Sequence, residues 1–442
     1  MIENTENLAK NLLASRGITL DTSKQFDLLS LTFNPFPRSG ISDLNSTAYL
    51  VEKLLPVDES VKSGIEEYIT DSLFSKSTIT DDKYLSAVIL GNYGSGKTQT
   101  LLYAKLVLES FNSYKDANKR PYVVYIDNPG VKLTELIGQI ISQIGEENFR
   151  RYLWTIALEK IASAKQSKDE LLSLKQKGHS LFEDDTDPFD PVNLVSYKSF
   201  LDAWVTFLYL NPKKKKEFLD TLKRIVITVF TTQFENSTIA TYFYDLLSEN
   251  IGVNKTWEAL TSGSPKELDK KEVYIIKAIV KLIESQGYTD FYILVDEFEN
   301  VTLGRLSSLE IDRYVSNLRA LIDKQRNWCA LFAMTLPAMQ RLKSVSPPLA
   351  ERISSRIIDL KNLNDEGAKK ILINYLNLAR KESQSIFPFD ESGIIILREK
   401  SHGITRVFLK SCFSLIQRAL EELKPGDTID EKFVTKHFQI DE

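Results

Sequence analysis

The chain is poor in the side chains that build metal and redox centres, with two cysteines and three histidines in 442 residues. Cys329 and Cys412 each lie inside an apolar stretch (328–331 and 409–415), with no histidine or second cysteine at ligand spacing. That excludes a disulfide framework and a zinc set of the usual spacing, and it fits a reducing cytoplasm. Positive charge is not in excess either. Lys and Arg number 56 against 60 Asp and Glu, a net charge of −4, so any contact with nucleic acid must be a local patch. No apolar run approaches the ~20 residues that cross a bilayer. The opening residues Met1-Ile2-Glu3-Asn4-Thr5-Glu6 lack the basic-then-apolar order of a signal peptide. A cytoplasmic protein without membrane contact is expected. There is no internal repeat. The 43% apolar and 26% charged content is that of an ordinary globular chain, which excludes a mainly disordered, collagen-like or coiled-coil protein.

What is present is an alternation of strand and helix signals. A helical pattern runs over about 58–74. An apolar run, 84–90, ends at Gly91 and reads as a buried strand followed by a helix. Residues 122–126 form a second β-rich run closed by the turn Asp127-Asn128-Pro129-Gly130. Leu133, Leu136, Ile137, Ile140, Ile141 and Ile144 then mark one face of a helix. From about 146 to 261 strand signals vanish, and helices are interrupted by an acidic loop (183–188) and the basic cluster Lys213–Lys216. Ser264, Pro265 and Glu267 form a helix start. Strands are expected at 291–295, 328–334 and 357–360, and helices beyond 360. Strands alternating with helices predict an α/β fold with a parallel sheet covered on both faces. The expected division is an N-terminal segment (1–80), a core (81–360) carrying a helical insertion (146–261), and a helical lid (361–442).

Chemistry concentrates in a few places. Gly91-Asn92-Tyr93-Gly94-Ser95-Gly96-Lys97-Thr98, followed by Gln99, fits G-x-x-x-x-G-K-[ST] between a strand and a helix. Its glycines let backbone N–H groups wrap phosphate oxygens at a helix N-terminus, Lys97 supplies a cation, and Thr98 offers a hydroxyl to Mg²⁺. Asp296 and Glu297 end the strand 291–295. In a phosphoryl-transfer site the first would stand near Mg²⁺ and the second would polarise the attacking water. Many strands also end in solvated carboxylates, and the P-loop upstream is what singles this pair out.

Together these residues resemble the P-loop ATPases with an additional catalytic glutamate, and the order of the remaining motifs is similar to that of the AAA+ group, in particular its origin-recognition and helicase-loader branch. The resemblance covers about 84–144 and 265–442. It implies ATP and Mg²⁺ as cofactors and a three-layer α/β/α core with a helical lid. It makes Thr335, at the end of the next strand, a polar sensor, where the plainer reading is a helix cap. It places an arginine finger in the segment Pro347 to Ile357, with Arg352 as the finger reaching a neighbouring subunit and Arg356 supporting it. Surface salt bridges are the alternative for both. Arg406, in Gly403-Ile404-Thr405-Arg406, matches the second sensor of the lid. Asn34-Pro35-Phe36-Pro37 matches a segment that gathers around adenine, with plain packing as the alternative. The helical insertion lies outside the minimal core, and no winged-helix DNA reader is expected after the lid. Two functions follow. One is an oligomeric Mg-ATP switch or motor in DNA-associated processes such as replication, transposition, or mobile-element or defence systems. The other is a signalling or scaffold ATPase that acts on a partner protein through its insertion. A nucleotide sensor without turnover is argued against by the intact Lys97, Asp296 and Glu297.

Overall fold

The computed structural model describes residues 26–39, 56, 58–74, 84–115, 118–174, 189, 196–202, 204–205, 211–252, 255–256, 265–304, 306–324, 327–380 and 385–438. In chain order, α1 (Glu59–Phe74) precedes β1 (Ser86–Gly91), α2 (Lys97–Ser110), β2 (Pro121–Ile126) and α3 (Leu133–Ile144). The six apolar residues that mark one face of α3 in the sequence are its six buried residues. The insertion is helical: α4 (Glu146–Ser163), α5 (Lys165–Ser173), α6 (Tyr197–Asp202), α7 (Pro212–Phe234) and α8 (Ser237–Leu247). Then come α9 (Pro265–Glu284), β3 (Asp290–Val295), α10 (Ser308–Lys324), β4 (Cys329–Met334), α11 (Leu336–Val345), α12 (Pro347–Ile353) and β5 (Arg356–Leu360). The tail holds α13 (Asp365–Asn377), α14 (Glu391–Lys400), α15 (Thr405–Glu422) and α16 (Glu431–His437). Ser264, the expected cap of α9, and the acidic loop 183–188 lie outside the described residues.

The fold is α/β, with a parallel five-stranded sheet in the order β2-β3-β4-β1-β5. β1, β3 and β4 are buried along their whole length, which is why their sequences are unbroken apolar runs rather than alternations. β2 and β5 stand at the two ends of the order and are only partly buried. β2 pairs with β3 from Pro121↔Asp290 to Ile126↔Val295, and β3 with β4 from Tyr292↔Cys329 to Val295↔Phe332.

Two compact units divide the chain, one of residues 1–66, 90–103 and 358–442, the other of 67–89 and 104–357. The first is cored by α13 to α16 together with Leu29, Leu31 and Phe36. Phe36 stacks on Tyr375 at 5.6 Å and meets Phe389 edge-on, while the Asn34 side-chain amide donates to Phe413 O at 3.0 Å. The Asn34–Pro37 segment therefore belongs to the core of the helical tail. An apolar ring with two aromatic partners is well buried there, which favours plain packing for Phe36.

The second unit carries the rest of the sheet and the insertion, whose core is aromatic. Trp154 packs on Tyr197 and Phe200, and Trp204 stacks on Phe218 at 5.0 Å. Lys213–Lys216 form the start of α7, where Asn211 caps by accepting from Lys214 N–H at 2.9 Å and Pro212 takes the first position. They occupy a solvated helix end. Among the described residues no helix is long and apolar enough to cross a membrane.

Candidate active site

β1 delivers the chain to Gly91, and α2 begins at Lys97, so the G-x-x-x-x-G-K-[ST] segment is the loop between them. Its glycines are required by the geometry. A Cβ on Gly91 would lie 2.4 Å from Ser95 Oγ and 2.9 Å from Leu360 Cβ. Gly94 and Gly96 have φ of +75° and +102°, where side chains are strained. Lys97 is 7% exposed. Its Nζ donates to Gly91 O at 3.2 Å and Asn92 O at 3.3 Å, 5.3 Å above the ring of exposed Tyr93. Thr98 is exposed in the first turn of α2. Ser95 Oγ, inside the loop, is buried with no hydrogen-bond partner.

The first turn of α15 is seated on this loop. Arg406 N–H donates to Gly94 O at 3.0 Å, and the turn leading to α15 is held by Leu363 N–H on Gly403 O at 2.8 Å. Gly403 and His402 both have positive φ, which brings the chain round in two residues. His402 is exposed and acts as a turn residue. Beside the loop is a cleft lined by Ser95, Gly96, Gln99, Thr405, Lys361 and Asp58. Asp58 starts α1, accepting from Ser60 N–H at 2.8 Å and Ser60 Oγ at 2.7 Å. The Ser60 hydroxyl in particular, with Lys361 adding to it, holds the Asp58 carboxyl below its ordinary range. Sequence reading missed Asp58. A Ser two residues after an Asp at a helix start was the available signal.

In the other unit, Asp296 follows β3 and is 3% exposed. Its N–H donates to Ile126 O at 2.8 Å, continuing the ladder with β2. Its Oδ2 accepts from Tyr125 OH at 3.0 Å and its Oδ1 from Glu297 N–H at 2.8 Å. Burial, reinforced by the Asp296 carboxylate, pushes the Tyr125 phenol well above its usual range, so it stays a donor. Glu297 is exposed and sits at φ +47°, a left-handed conformation that side chains adopt at a cost of about 1–3 kcal/mol. Asn300 Nδ2 donates to Glu297 Oε2 at 3.1 Å. Thr335 follows β4, the strand beside β3. It is 3% exposed, makes no side-chain cap bond for α11, and its buried Oγ1 has no hydrogen-bond partner. Thr335 is the N-cap residue of α11, accepting from Met339 N–H through its carbonyl at 3.1 Å, but its hydroxyl takes no part in the cap.

The arginines are placed differently from one another. Arg352, in the last turn of α12, engages Asp323 through Nε and is partly exposed. Arg356 opens β5 and spends both Nη groups on its own chain, on Glu67 at 2.8 Å and Asp71 at 2.7 Å. Arg406 is exposed. It lines a groove along α15 with Arg38, Lys410 and Arg418, not the cleft beside the loop.

The glycines of the loop leave room for phosphate against the backbone, and a buried ammonium stands at the start of α2; in the other unit Asp296 is a hard oxygen donor of the kind Mg²⁺ takes. Unpartnered buried hydroxyls on Ser95 and Thr335 are the kind that a ligand or water satisfies.

The chain is an α/β protein with a parallel five-stranded sheet in the order 2-3-4-1-5, a glycine loop after β1 at position four and a carboxylate pair after β3. No family model and no curated protein matches the sequence. Among solved structures it is similar to the ORC2 protein of Aeropyrum pernix in its ADPNP and ADP complexes. Identity is 11%, coverage 86% of this chain and 66% of that one, and the TM-score 0.40. The chain thus spans just under two thirds of that protein's length.

Proposed function

We propose that the protein binds and hydrolyses Mg-ATP as an AAA+-type ATPase. The observation that carries this reading is the buried Lys97 at the head of α2, folded across a loop whose glycines alone permit its shape. In this reading the backbone N–H groups around Gly94–Lys97 cradle phosphate, and Lys97 exchanges its two carbonyl partners for phosphate oxygens. Thr98 and Asp296 would hold Mg²⁺, which when bound neutralises charge developing on the phosphates. Glu297 accepts the proton of the attacking water, and Thr335 Oγ orients that water or a phosphate oxygen. Arg406 swings from its groove toward the phosphates, and the guanidinium of Arg352 serves the nucleotide of a neighbouring copy. Arg356, committed to Glu67 and Asp71, holds the segment behind it.

The test is equilibrium binding of a fluorescent ATP analogue together with phosphate release. Lys97→Ala should abolish binding at micromolar nucleotide. Glu297→Gln should keep binding and lower turnover by about 10²-fold or more. Undiminished binding by Lys97→Ala overturns the reading.

A DNA-associated role is supported by the groove along α15. Arg406, Lys410, Ser414 and Arg418 recur every fourth residue along α15 and line the groove with Arg38, while Glu421 on the same groove pairs with Arg418 at 3.2 Å, in a chain whose net charge is −4. Such a stripe suits a phosphate backbone. Anisotropy of labelled DNA at ~100 mM salt, with Glu297→Gln and Mg-ATP, should show binding that weakens steeply with salt and is lost in Lys410→Glu/Arg418→Glu. No binding up to tens of micromolar would move the search to a protein partner of the helical insertion.

A further inference from the structure

We infer that Tyr125, held from behind by Gln143, is a positioning residue that fixes the Asp296 carboxylate and, through it, the turn that presents Glu297. This rests on the Mg-ATP reading above.

The argument begins with the parallel register. Tyr125 stands opposite Leu294, and side chains two apart along a strand share a face. Asp296, two residues beyond Leu294, therefore projects to the same side as Tyr125, one diagonal step away, within reach of a long side chain. The phenol bridges that step, donating to Asp296 Oδ2 at 3.0 Å. The other oxygen, Oδ1, accepts from Glu297 N–H at 2.8 Å. With both oxygens anchored and its own N–H bound to Ile126 O, the carboxylate has one orientation.

The Oδ1 bond has a second effect. Glu297 holds a strained left-handed φ of +47°, and the hydrogen bond from its N–H to a fixed carboxylate is what keeps it there. Freed from Tyr125, Asp296 rotates, that bond weakens, and the Glu297 backbone relaxes toward ordinary φ. One phenol thus sets both carboxylates.

Tyr125 is itself supported from behind. Its N–H donates to Gln143 Oε1 at 3.0 Å, and its carbonyl accepts from Gln143 Nε2. β2 stands at one end of the sheet order, so these two groups have no strand partner on that side. A single amide from α3 satisfies both. Outer-shell partners of metal carboxylates characteristically tune metal affinity by 10–100-fold.

The experiment compares wild type, Tyr125→Phe and Gln143→Ala by binding of fluorescent ADP with and without Mg²⁺, followed by Mg²⁺ titration of turnover. Tyr125→Phe keeps ring and burial, so its melting temperature should stay within a few degrees. Metal-free ADP binding should be unchanged, while the Mg²⁺ concentration at half-effect should rise about 10- to 100-fold. Mn²⁺, which N/O sites bind more tightly than Mg²⁺, should restore part of the loss. Gln143→Ala should shift the same parameter in the same direction by less. A wild type that binds no ADP overturns the Mg-ATP reading itself. A wild type with a clear Mg²⁺ effect and a Tyr125→Phe protein with the same half-effect overturns this inference alone. An equal loss of metal-free and Mg²⁺-supported binding also overturns it, because that marks a general packing defect.

Discussion

Replacing Gly94 with alanine attacks the point where the glycine loop carries the first turn of α15. Gly94 sits at φ +75°, and a left-handed conformation costs a residue with a Cβ about 1–2 kcal/mol. The new methyl would lie 2.9 Å from Arg406 Cβ and 3.1 Å from Ile404 Cγ2. Ordinary contact begins at 3.4 Å, so the first turn of α15 must withdraw by about 0.5 Å, the difference between 3.4 and 2.9. That withdrawal lengthens the 3.0 Å bond from Arg406 N–H to Gly94 O, worth about 1 kcal/mol. The φ strain falls on the loop itself, and the weakened bond, about 1 kcal/mol, corresponds to roughly 5-fold in the opening equilibrium of the first turn of α15. Amide hydrogen exchange at Arg406 reads this directly, with Gly96→Ala as the control. Gly96 also has positive φ, +102°, but a Cβ there meets nothing within 4 Å. Gly96→Ala strains the loop and leaves α15 alone. Arg406 protection equal in wild type and Gly94→Ala, or lost equally in both alanine variants, refutes the reasoning.

Other expectations are quicker to check. Thr335→Val removes an unpartnered buried hydroxyl at constant shape, so thermal stability should hold or rise by up to about 1 kcal/mol while phosphate release falls. A marked drop in melting temperature would mean that the hydroxyl has a structural partner. Arg356→Ala breaks a partly exposed double ion pair and should cost at most about 1 kcal/mol in a denaturant titration. Arg352→Ala should leave stability and nucleotide binding alone and abolish any rise of specific activity with protein concentration. Glu235 is held at about 2 by hydrogen bonds from Lys277 and Lys281. A depressed carboxyl stabilises fully above its ordinary value of 4.5 and loses that contribution as pH falls toward 2. Between pH 4.5 and 2, exchange at the junction of α7 with α9 should therefore accelerate in wild type and stay flat in Glu235→Gln.

Much of the framework was legible because it is local. β1, β3 and β4 are read from unbroken apolar runs, α3 from six residues on one face, and the loop from Gly91 to Thr98 from a spacing that encodes its own geometry. What escaped is nonlocal. The Tyr125–Asp296 bond spans 171 residues and exists only because β2 and β3 pair in parallel in one register. Nothing in Tyr122–Ile126 announces it beyond a polar tip on an otherwise apolar run. Phe36 pairs with Tyr375 across the length of the chain, so its helical-tail role could not be distinguished from a role beside a nucleotide. Arg352 and Arg356 look alike in sequence. They differ because α1 offers Glu67 and Asp71 to Arg356, while α10 offers Asp323 to Arg352.

The Gln143 amide also bears on the fate of the sheet margin. A terminal strand with unsatisfied N–H and C=O groups is a template for a foreign strand. At Tyr125 both of those groups are occupied by a side chain from α3, at the carboxyl end of β2 where an incoming strand would extend the ladder. Gln143 therefore acts as a stopper against edge-to-edge assembly. Its removal exposes a short apolar β stretch, Tyr122–Ile126, to pairing between molecules, and the outcome to look for on storage or mild heating is aggregation with gain of β signal, even where the fold itself is barely weakened.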